Sequence, residues 1–449
     1  MNKTVRLIRI GVPILSCIVF GWWLSKQTTL LSLGTLSAML SAGLFVVTLT
    51  EALSRFAACF TNRNRPMQTV STEEQDRFAS WDALLRFGVA VILFQFVLVY
   101  LIVRPSTDFL HSFPRLYYRS DVAHYMGIAR DWYVREGDER LRLVFLPLYP
   151  LTIRALSWGE YYFAGGFFSS LLFSLAVLPA AYELFRLDMD RTSAMACARV
   201  LFLLPGAAFL QIPMSESLFL FLMLLAVYFA RKRKFLWAAL FTALSAFTRS
   251  LGILLIGLLF IEMLLWFTEA YREDKRTALR SIPRLIGFLL CGCCGTLVYL
   301  VINWQISGNP LTFLTYQREN WDQQLGFFFN TASYQVEYAR MYLSSGDMNS
   351  VLSLSLPNLV CCFGALGLLC KDRKHMRLSY LLWALVYFAI SIGATWLLSG
   401  PRYLAMVFPL ALTIQRSCKT KISELVMETM LLAAQTMYLL MLALDMYVY

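Results

Sequence analysis

Residues 87–103 read FGVAVILFQFVLVYLIV, a run without a charged side chain. A helix of about 20 mostly apolar residues crosses the hydrocarbon core of a bilayer, so the run predicts a membrane-spanning helix. Similar runs recur along the 449 residues, of which 58% are hydrophobic and only 15% charged. Soluble domains carry about 25% charged residues. The sequence therefore predicts an all-α, polytopic membrane protein in which one helix bundle takes up the chain.

Thirteen apolar segments are predicted as helices, and because several are short, we expect about 11–13 spans. These segments are 7–24, 29–53, 87–103, 163–186, 194–210, 216–230, 235–248, 251–267, 284–303, 349–370, 378–398, 403–416 and 423–445. By sequence the bundle divides into three parts. Residues 1–86 hold the N-terminal helices and a cytoplasmic connector, 87–416 the transmembrane core with the long segments between its helices, and 417–449 a C-terminal helix.

Lysine and arginine residues set the predicted orientation. The net charge of +12 comes from short basic clusters between apolar runs, such as RKRK at 231–234 and KDRKHMR at 371–377. Such clusters stay on the cytoplasmic side of a membrane, so the N-terminus is predicted inside and the C-terminus outside. Charges placed in this way argue against a nucleic-acid partner. A bacterial plasma membrane is favoured over the endoplasmic reticulum because the only Asn-x-Ser/Thr sequence, at 2–4, falls in the predicted cytoplasm.

Two long segments rich in aromatic residues, 104–162 and 304–350, fall outside by the same alternation. The first contains apolar residues at steps of three and four, as on one face of a helix. They are Val122, Tyr125, Ala129 and Trp132. We expect this amphipathic helix to lie along the membrane surface, with its aromatic rings at headgroup depth. The charged stretch VREGDERLRL at 134–143 is predicted as a loop.

Asp121 begins this predicted helix, within YYRSDVAHYMGIARDWY at 117–133. Its carboxylate would cap the first helical turn by accepting free backbone N–H groups. Alternatively, it would act as a general base that takes a proton from a hydroxyl group. His124 and Tyr125 follow within about one turn and would either orient a substrate or pack. The residues alone leave these alternatives open.

Three further charged residues lie at the predicted outer ends of helices. Glu216 opens a helix, where the macrodipole favours an acid, but an ionisable group at the edge of a span is also a functional candidate. Arg249 and Arg402 lie in outer turns. Arg249 would pair with Glu216 or bind a phosphate through its planar guanidinium group. Arg402 would bind the same anion or extend its charged end to the membrane interface.

No metal centre and no cofactor are demanded by the sequence. The CGCC sequence at 291–294 lies in an apolar run without a second cluster of ligands, and the chain has only three histidines. Buried small-residue packing explains these cysteines better than a zinc site does. A divalent metal, if one binds, would have its place between Asp121 and Glu216.

Six segments in order resemble the GPI mannosyltransferase 2 (PIG-V) family and its bacterial relatives, within the GT-C superfamily of polytopic glycosyltransferases. The segments are RSDVAHYMGIARDWY (119–133), FLPLYPLTIRAL (145–156), PMSESLFLFLMLLAVYFA (213–230), ALFTALSAFTRSLGILL (239–255), SGNPLTFLTYQRENW (307–321) and PRYLAMVFPL (401–410). The chain departs from the family pattern at Ser120, where a tryptophan is usual, and at Asn309, which replaces an aspartate.

The resemblance implies a GT-C-like fold that transfers a sugar, typically mannose, from a polyprenyl-phosphate donor on the extracytoplasmic face. It favours Asp121 as the general base of an inverting displacement, with Glu216 as a second catalytic candidate. The residues expected to bind substrate are His124, Tyr125, Tyr149, Arg249, Arg402 and Tyr403. The acceptor stays open among a glycolipid, a cell-wall polymer and a protein hydroxyl group.

Two other classes of protein compete with a transferase. A lipid or sugar transporter or flippase would also be polytopic, but such proteins often contain internal repeats, and the two halves of this sequence show no convincing repeat. The long outer segments also fit a transferase better. A non-catalytic subunit of a membrane assembly is the third class.

Overall fold

The computed structural model describes residues 3–27, 29, 32–61, 77–103, 114, 116–395 and 397–448. Several sequence-based expectations lie outside these residues. They concern Asn2 of the Asn-x-Thr sequence, most of the connector between the second and third helices, and the start of the first outer segment, residues 104–113.

The described residues are predominantly α-helical. In chain order the α-helices are α1 (Lys3–Leu24), α2 (Leu33–Thr61), α3 (Arg77–Val103), α4 (Val122–Asp131), α5 (Leu148–Leu156), α6 (Tyr162–Phe185), α7 (Arg191–Leu203), α8 (Glu216–Arg231), α9 (Phe235–Thr248), α10 (Leu255–Glu273), α11 (Lys275–Ser307), α12 (Thr312–Trp321), α13 (Phe328–Ser345), α14 (Met348–Ser350), α15 (Leu356–Asp372), α16 (Leu378–Ile392), α17 (Gly400–Leu404), α18 (Pro409–Ser417) and α19 (Lys421–Ala443). The 3₁₀ helices are Asp138–Val144, Pro205–Gln211 and Ser250–Leu254, and Val351–Ser355 is π-helical.

Eight helices of the described residues are long and apolar enough to cross a membrane. They are α1, α2, α3, α6, α10 with its preceding 3₁₀ turn, α11, α15 with the turns before it, and α19. The protein is therefore a helical bundle of the kind expected for a multi-pass membrane protein. A ninth candidate is α7 with Pro205–Gln211, a pair bent by 78°.

Fewer helices of the described residues are long and apolar enough to span a membrane than the 11–13 expected. All thirteen predicted segments are nevertheless helical over most of their length. Helix α9 has 14 residues, which at 1.5 Å per residue gives about 21 Å, less than a bilayer core. Helix α16 ends at Ile392. The predicted helix 403–416 is interrupted between α17 and α18. These short or broken helices end next to turns that the sequence predicts to lie outside.

The first outer segment differs from the expectation in two ways. Helix α4 does not lie exposed on the bundle surface, because Val122, Tyr125, Met126 and Ile128 are all buried. It packs against α5 and α6, and the apolar face predicted from the spacing is directed into protein instead of lipid. The charged stretch predicted as a loop is in part the 3₁₀ helix Asp138–Val144.

The two terminal parts of the chain pack on the core. Helices α1 and α2 contact α13 of the second outer segment. Trp23 donates to Asn330 at 3.2 Å and the backbone N–H of Gly34 donates to Glu337 at 2.9 Å. Helix α19 is joined to α3 through Gln435 and Gln95, whose side-chain amides are buried and hydrogen-bonded at 2.9 Å. The three sequence divisions are therefore in contact within one helical body.

The ends of the bundle carry different sets of charges. Helix α8 begins at Glu216 and ends at Arg231, so at 1.5 Å per residue these residues lie about 22.5 Å apart. Around the Arg231 end, arginines of segments predicted to be cytoplasmic form ion pairs. These pairs are Arg231–Asp188 at 2.7 Å, Arg377–Glu262 at 2.6 Å and Arg416–Asp372 at 2.6 Å. The Glu216 end carries the long segments predicted to be outside.

We predict that the Glu216 end faces away from the cytoplasm. In a cysteine-free background, a cysteine at Glu136 should react with an impermeant thiol reagent on intact cells, because basic clusters keep the opposite end inside. A cysteine at Lys374, at the opposite end, is the matched control and should react only after permeabilisation. The reverse pattern would overturn the topology.

Candidate functional site

A cavity of about 590 Å³ lies at the Glu216 end of the bundle. Part of its lining comes from the first outer segment and from two turns between helices, and it includes Asp121, Tyr125, Arg249, Arg402 and Tyr403. Another part comes from α12 and the residues that follow it. Both long outer segments thus contribute to one cavity, next to the short and broken helices.

Four charged side chains form a continuous cluster beside this cavity. Arg402 donates from Nη1 to Asp121 Oδ2 at 2.8 Å and from Nε to Glu216 Oε1. Arg249 donates from Nη1 to the same Glu216 oxygen and to Ser215 Oγ, the latter at 3.1 Å. The cluster pairs two arginines with two carboxylates. Residues far apart in sequence are therefore held together by one shared carboxylate oxygen.

Asp121 is directed toward Arg402 and does not cap its helix. It precedes α4, but its side chain makes no capping hydrogen bond, so the capping interpretation is wrong. The preceding Ser120 adopts a positive φ of 49°. Among the described residues no group donates to Asp121 Oδ1, and the side chain is 25% exposed and lines the cavity. One oxygen of the carboxylate is thus anchored while the other is available to a ligand.

Glu216 occupies a different environment from Asp121. Its side chain is fully buried, and it does not line the cavity. As the first residue of α8 its charge is favoured by the helix dipole. The ion pair with Arg249, one of the two alternatives considered for that arginine, is present. Burying a carboxylate is costly unless it is paired, which both arginines accomplish here. This geometry suits a residue that positions the arginines better than one that touches a substrate.

Arg249 retains hydrogen-bonding capacity that the cluster does not use. It lies in extended backbone between α9 and the 3₁₀ turn Ser250–Leu254. Only its Nη1 has acceptors among the described residues, which leaves Nε and Nη2 without one. The guanidinium carbon lies 5.9 Å from the Tyr403 ring centroid. Arg249 therefore presents part of a charged, planar donor group in the lining of the cavity.

Close backbone packing fixes Arg402. The guanidinium carbon lies 5.0 Å from the ring centroid of Phe209, in the 3₁₀ helix that follows α7. Gly206 of the same 3₁₀ helix lies against the backbone of Pro401, so that a Cβ atom at this glycine would clash with the Pro401 carbonyl oxygen. The bend between α7 and Pro205–Gln211 thus brings an aromatic ring and a glycine against the turn that carries Arg402.

The remaining predicted site residues lie at different depths. Tyr125 lines the cavity and its hydroxyl group is 2.8 Å from Ser215 Oγ. Tyr149 is fully buried behind Tyr125, with its hydroxyl group donating to the Gly166 carbonyl at 3.0 Å. It does not line the cavity.

His124 stacks on Phe145 at 4.7 Å between ring centroids and does not line the cavity. Burial lowers the pKa of His124 below its ordinary value. Burial therefore favours the neutral form of the imidazole. The contacts of His124 are therefore those of an aromatic packing residue.

The structure adds residues that sequence reasoning did not single out. Ser215 links Tyr125 to Arg249 through its hydroxyl group. Three glutamine side chains and Trp321 line the cavity from α12 and the residues after it. Gln317 and Trp321 belong to the family-like segment 307–321 quoted above, but the sequence assigned no role to them.

No group of three or more histidine, cysteine or acidic residues that could hold a metal ion occurs in the described part of the chain. Asp121 and Glu216, the pair considered for a divalent ion, are joined through the guanidinium group of Arg402. A cation therefore already lies between these two carboxylates.

Comparison with protein-family models, with curated proteins and with solved structures gives no match. The geometry and chemistry of the cavity, together with the sequence segments quoted above, therefore carry the functional argument.

We predict that Glu216→Gln destabilises the protein strongly. The substitution leaves two buried arginines without their shared counter-charge, and breaking a buried ion pair typically costs about 3–5 kcal/mol. Glu269→Gln is the matched control, because Glu269 pairs with a mostly exposed Arg233 and such pairs contribute about 0–1 kcal/mol. Thermal unfolding of the two variants in detergent measures the difference. Equal stability would refute the central role of Glu216.

Proposed function

We propose that the protein is a membrane glycosyltransferase that moves a sugar, expected to be mannose, from a polyprenyl-phosphate donor to an acceptor hydroxyl group. The observation that carries this proposal is the pairing of two available groups in the lining of one cavity. These are the unbonded oxygen of Asp121 and the unbonded N–H groups of Arg249. A carboxylate and a cation so placed are what a sugar-phosphate displacement requires.

The donor phosphate is assigned to Arg249. A guanidinium group binds phosphate oxygens through parallel N–H donors, and Nε and Nη2 of Arg249 are not used by other described residues. Apolar side chains occupy the same cavity lining, among them Leu251, Ile390 and Leu398. They would contact the first isoprene units of the lipid. A donor with an anionic head and an apolar tail therefore suits both parts of the lining.

The reaction is a single inverting displacement. The acceptor oxygen attacks the anomeric carbon as its proton passes to Asp121 Oδ1. The bond between the anomeric carbon and the phosphate oxygen breaks, and its electron pair leaves with the lipid phosphate. Arg249 stabilises the negative charge that develops on this oxygen, as fixed cations do in other transfer reactions.

Arg402 and Glu216 act on the reaction through other residues. Arg402 holds Asp121 by one oxygen, which directs the other oxygen toward the cavity. Glu216 holds both arginines and is itself shielded from the cavity. Their contribution is orientation before the reaction begins, which is a large part of what such sites supply. In this proposal Glu216 is a positioning residue and Asp121 the general base.

A transfer assay with purified protein tests the proposal. The protein is reconstituted into vesicles with polyprenyl phosphates that carry radiolabelled mannose, glucose or N-acetylglucosamine, and with extracted membrane glycans as acceptors. We expect label to pass from the mannosyl donor to an acceptor, without a nucleotide. Movement of the labelled lipid across the vesicle without any transfer would instead place the protein among transporters.

We predict that Asp121→Asn abolishes most of the transfer activity. Asparagine keeps the size of the side chain and an oxygen for Arg402, but it does not accept the proton, and general-base catalysis contributes about 10²–10⁴-fold. Asp131→Asn is the matched control, because Asp131 is the last residue of the same helix and pairs with the exposed Arg130. Transfer rates and thermal stability of both variants are measured. A fully active Asp121→Asn variant would remove Asp121 from the mechanism.

We predict that Arg249→Ala raises the KM for the polyprenyl-phosphate donor and lowers kcat. Arg249→Lys should restore only part of the activity, because lysine retains the charge but not the planar pair of donors. Arg233→Ala, at the opposite end of the bundle, controls for a general loss of positive charge. Unchanged donor kinetics in a folded Arg249→Ala variant would return Arg249 to a purely structural role.

A further inference from the structure

A second cavity lies at the Arg231 end of the bundle, away from the proposed active site. It has a volume of about 580 Å³ and is lined by the last turns of α15 and α18 and by the turn that follows α15. Its charged lining residues are Lys371, Lys374, Arg416 and Asp372. Three cations against one carboxylate leave a net charge of +2 when His375 is counted as neutral. We call this cavity the basic pocket, and nothing in the proposed reaction uses it.

The cations of the basic pocket keep donors that the protein does not use. Arg416 donates from Nη1 to the mostly buried Asp372 at 2.6 Å, which leaves Nε and Nη2 without an acceptor among the described residues. Lys371 donates to the Ser417 hydroxyl group at 2.8 Å, a partner that holds the ammonium group without neutralising it. The exposed ammonium group of Lys374 has no acceptor in the part of the chain that the structure describes. The pocket thus presents fixed and free donors to an anion.

The end of helix α15 does not need these cations. A helix C-terminus attracts cations and leaves carbonyl groups that require donors. Here Arg373 donates to the Cys370 carbonyl at 2.6 Å, and Arg55 donates to the Arg373 carbonyl at 2.6 Å. Neither of these arginines lines the basic pocket. Capping of α15 therefore does not account for the surplus of positive charge in the lining.

Carboxylates of helix α19 do not enter the basic pocket either. Glu424 accepts from Gln415 at 2.5 Å, and Glu428 accepts from Arg199 at 2.8 Å. Both glutamates are outside the lining. Asp372 is the one carboxylate of the lining, and it is already paired with Arg416. The remaining positive charge is therefore left for an anion from outside the protein.

An open face of α15 leads away from the basic pocket. Gly364, Gly367 and Lys371 follow one another at steps of three and four, so they lie on one face of the helix. A Cβ atom at either glycine would have no described atom within 4 Å, and Val360 on the same face is 61% exposed. Helix α15 belongs to a segment long and apolar enough to cross a membrane. Hydrocarbon chains would therefore lie along this face and end at Lys371.

We propose that the basic pocket binds the phosphate group of an anionic membrane phospholipid, whose acyl chains lie along the open face of α15. Guanidinium and ammonium groups bind phosphate oxygens, and basic pockets between membrane helices bind anionic lipid headgroups. Free phosphate esters carry the same group without the chains, so the experiments separate the two sources. The proposal does not rest on the transferase function, whose polyprenyl phosphate belongs to the cavity at the other end of the bundle.

Native mass spectrometry of the purified full-length protein in a neutral detergent measures the binding. The probes are phosphatidylglycerol and phosphatidylcholine with identical acyl chains. We expect the wild type to bind phosphatidylglycerol about tenfold more tightly than phosphatidylcholine. Lys371→Gln combined with Lys374→Gln should lose most of this preference, because each cation near an anionic lipid contributes about fivefold.

The matched control is Lys232→Gln combined with Lys234→Gln, which removes the same charge from two exposed lysines at the same end but outside the basic pocket. We expect the control to keep the preference for phosphatidylglycerol. Equal losses in the two double variants would show a general attraction to basic surface and overturn the proposal. A wild-type protein without any preference would overturn it as well. Thermal unfolding checks that each variant is folded.

Two further measurements separate a lipid from a free phosphate. Gly364→Leu fills the open face of α15 without changing a charge, and it should weaken the binding of phosphatidylglycerol severalfold. Glycerol 3-phosphate, titrated by calorimetry, should bind this variant and the wild type equally. It should bind at least about tenfold more weakly than the lipid, because it buries no methylene groups of an acyl chain. Binding of glycerol 3-phosphate as tight as that of phosphatidylglycerol, or lipid binding unaffected by Gly364→Leu, would overturn the assignment to a lipid.

Discussion

The arrangement at the Glu216 end of the bundle depends on one buried carboxylate shared by two arginines. Glu216 is shielded from solvent, so its charge is tolerated only because Arg249 and Arg402 both donate to it. Each arginine is thereby held in place, and each has further N–H groups that do not donate to Glu216. Arg402 continues to Asp121, and Arg249 keeps N–H groups that the described residues do not use. A single oxygen atom thus organises residues from four separate stretches of the chain.

The breaks in the helices around this cluster also depend on buried polar groups that have partners. Irregular backbone within an apolar bundle persists where it is buried in protein or lines a cavity, since its polar groups need partners. The 78° bend after α7 places Gly206 against Pro401 and Phe209 against Arg402. Arg249 follows directly after the short helix α9, and Arg402 lies within the five-residue helix α17. In the proposed enzyme, the loss of regular helix is what allows charge to be assembled at the cavity.

The sequence predicted which segments are helical and which charged residues belong to the site better than it predicted which of these residues are in contact. Apolar runs are a strong signal. The pairing of Arg249 with Glu216 was one of two alternatives that the sequence left open, because these opposite charges lie in neighbouring turns predicted to be outside. The contact between Asp121 and Arg402 did not follow, because it joins residues 281 positions apart. The spacing in α4 correctly indicated one apolar face, but spacing does not distinguish burial in protein from contact with lipid. Tyr149 and His124 lie in the same sequence segments as residues that line the cavity, but they pack behind it. The sequence does not indicate how deeply a side chain is buried.

The most direct measurement is an experimental structure of the full-length protein with a polyprenyl phosphate bound. The proposed mechanism predicts phosphate oxygens within hydrogen-bonding distance of Arg249, the isoprene chain along Leu251 and Leu398, and Asp121 still paired with Arg402 through one oxygen. A phosphate bound at the opposite end of the bundle, among the basic residues near Lys374 and Arg416, with the cavity beside Asp121 free of lipid, would contradict it.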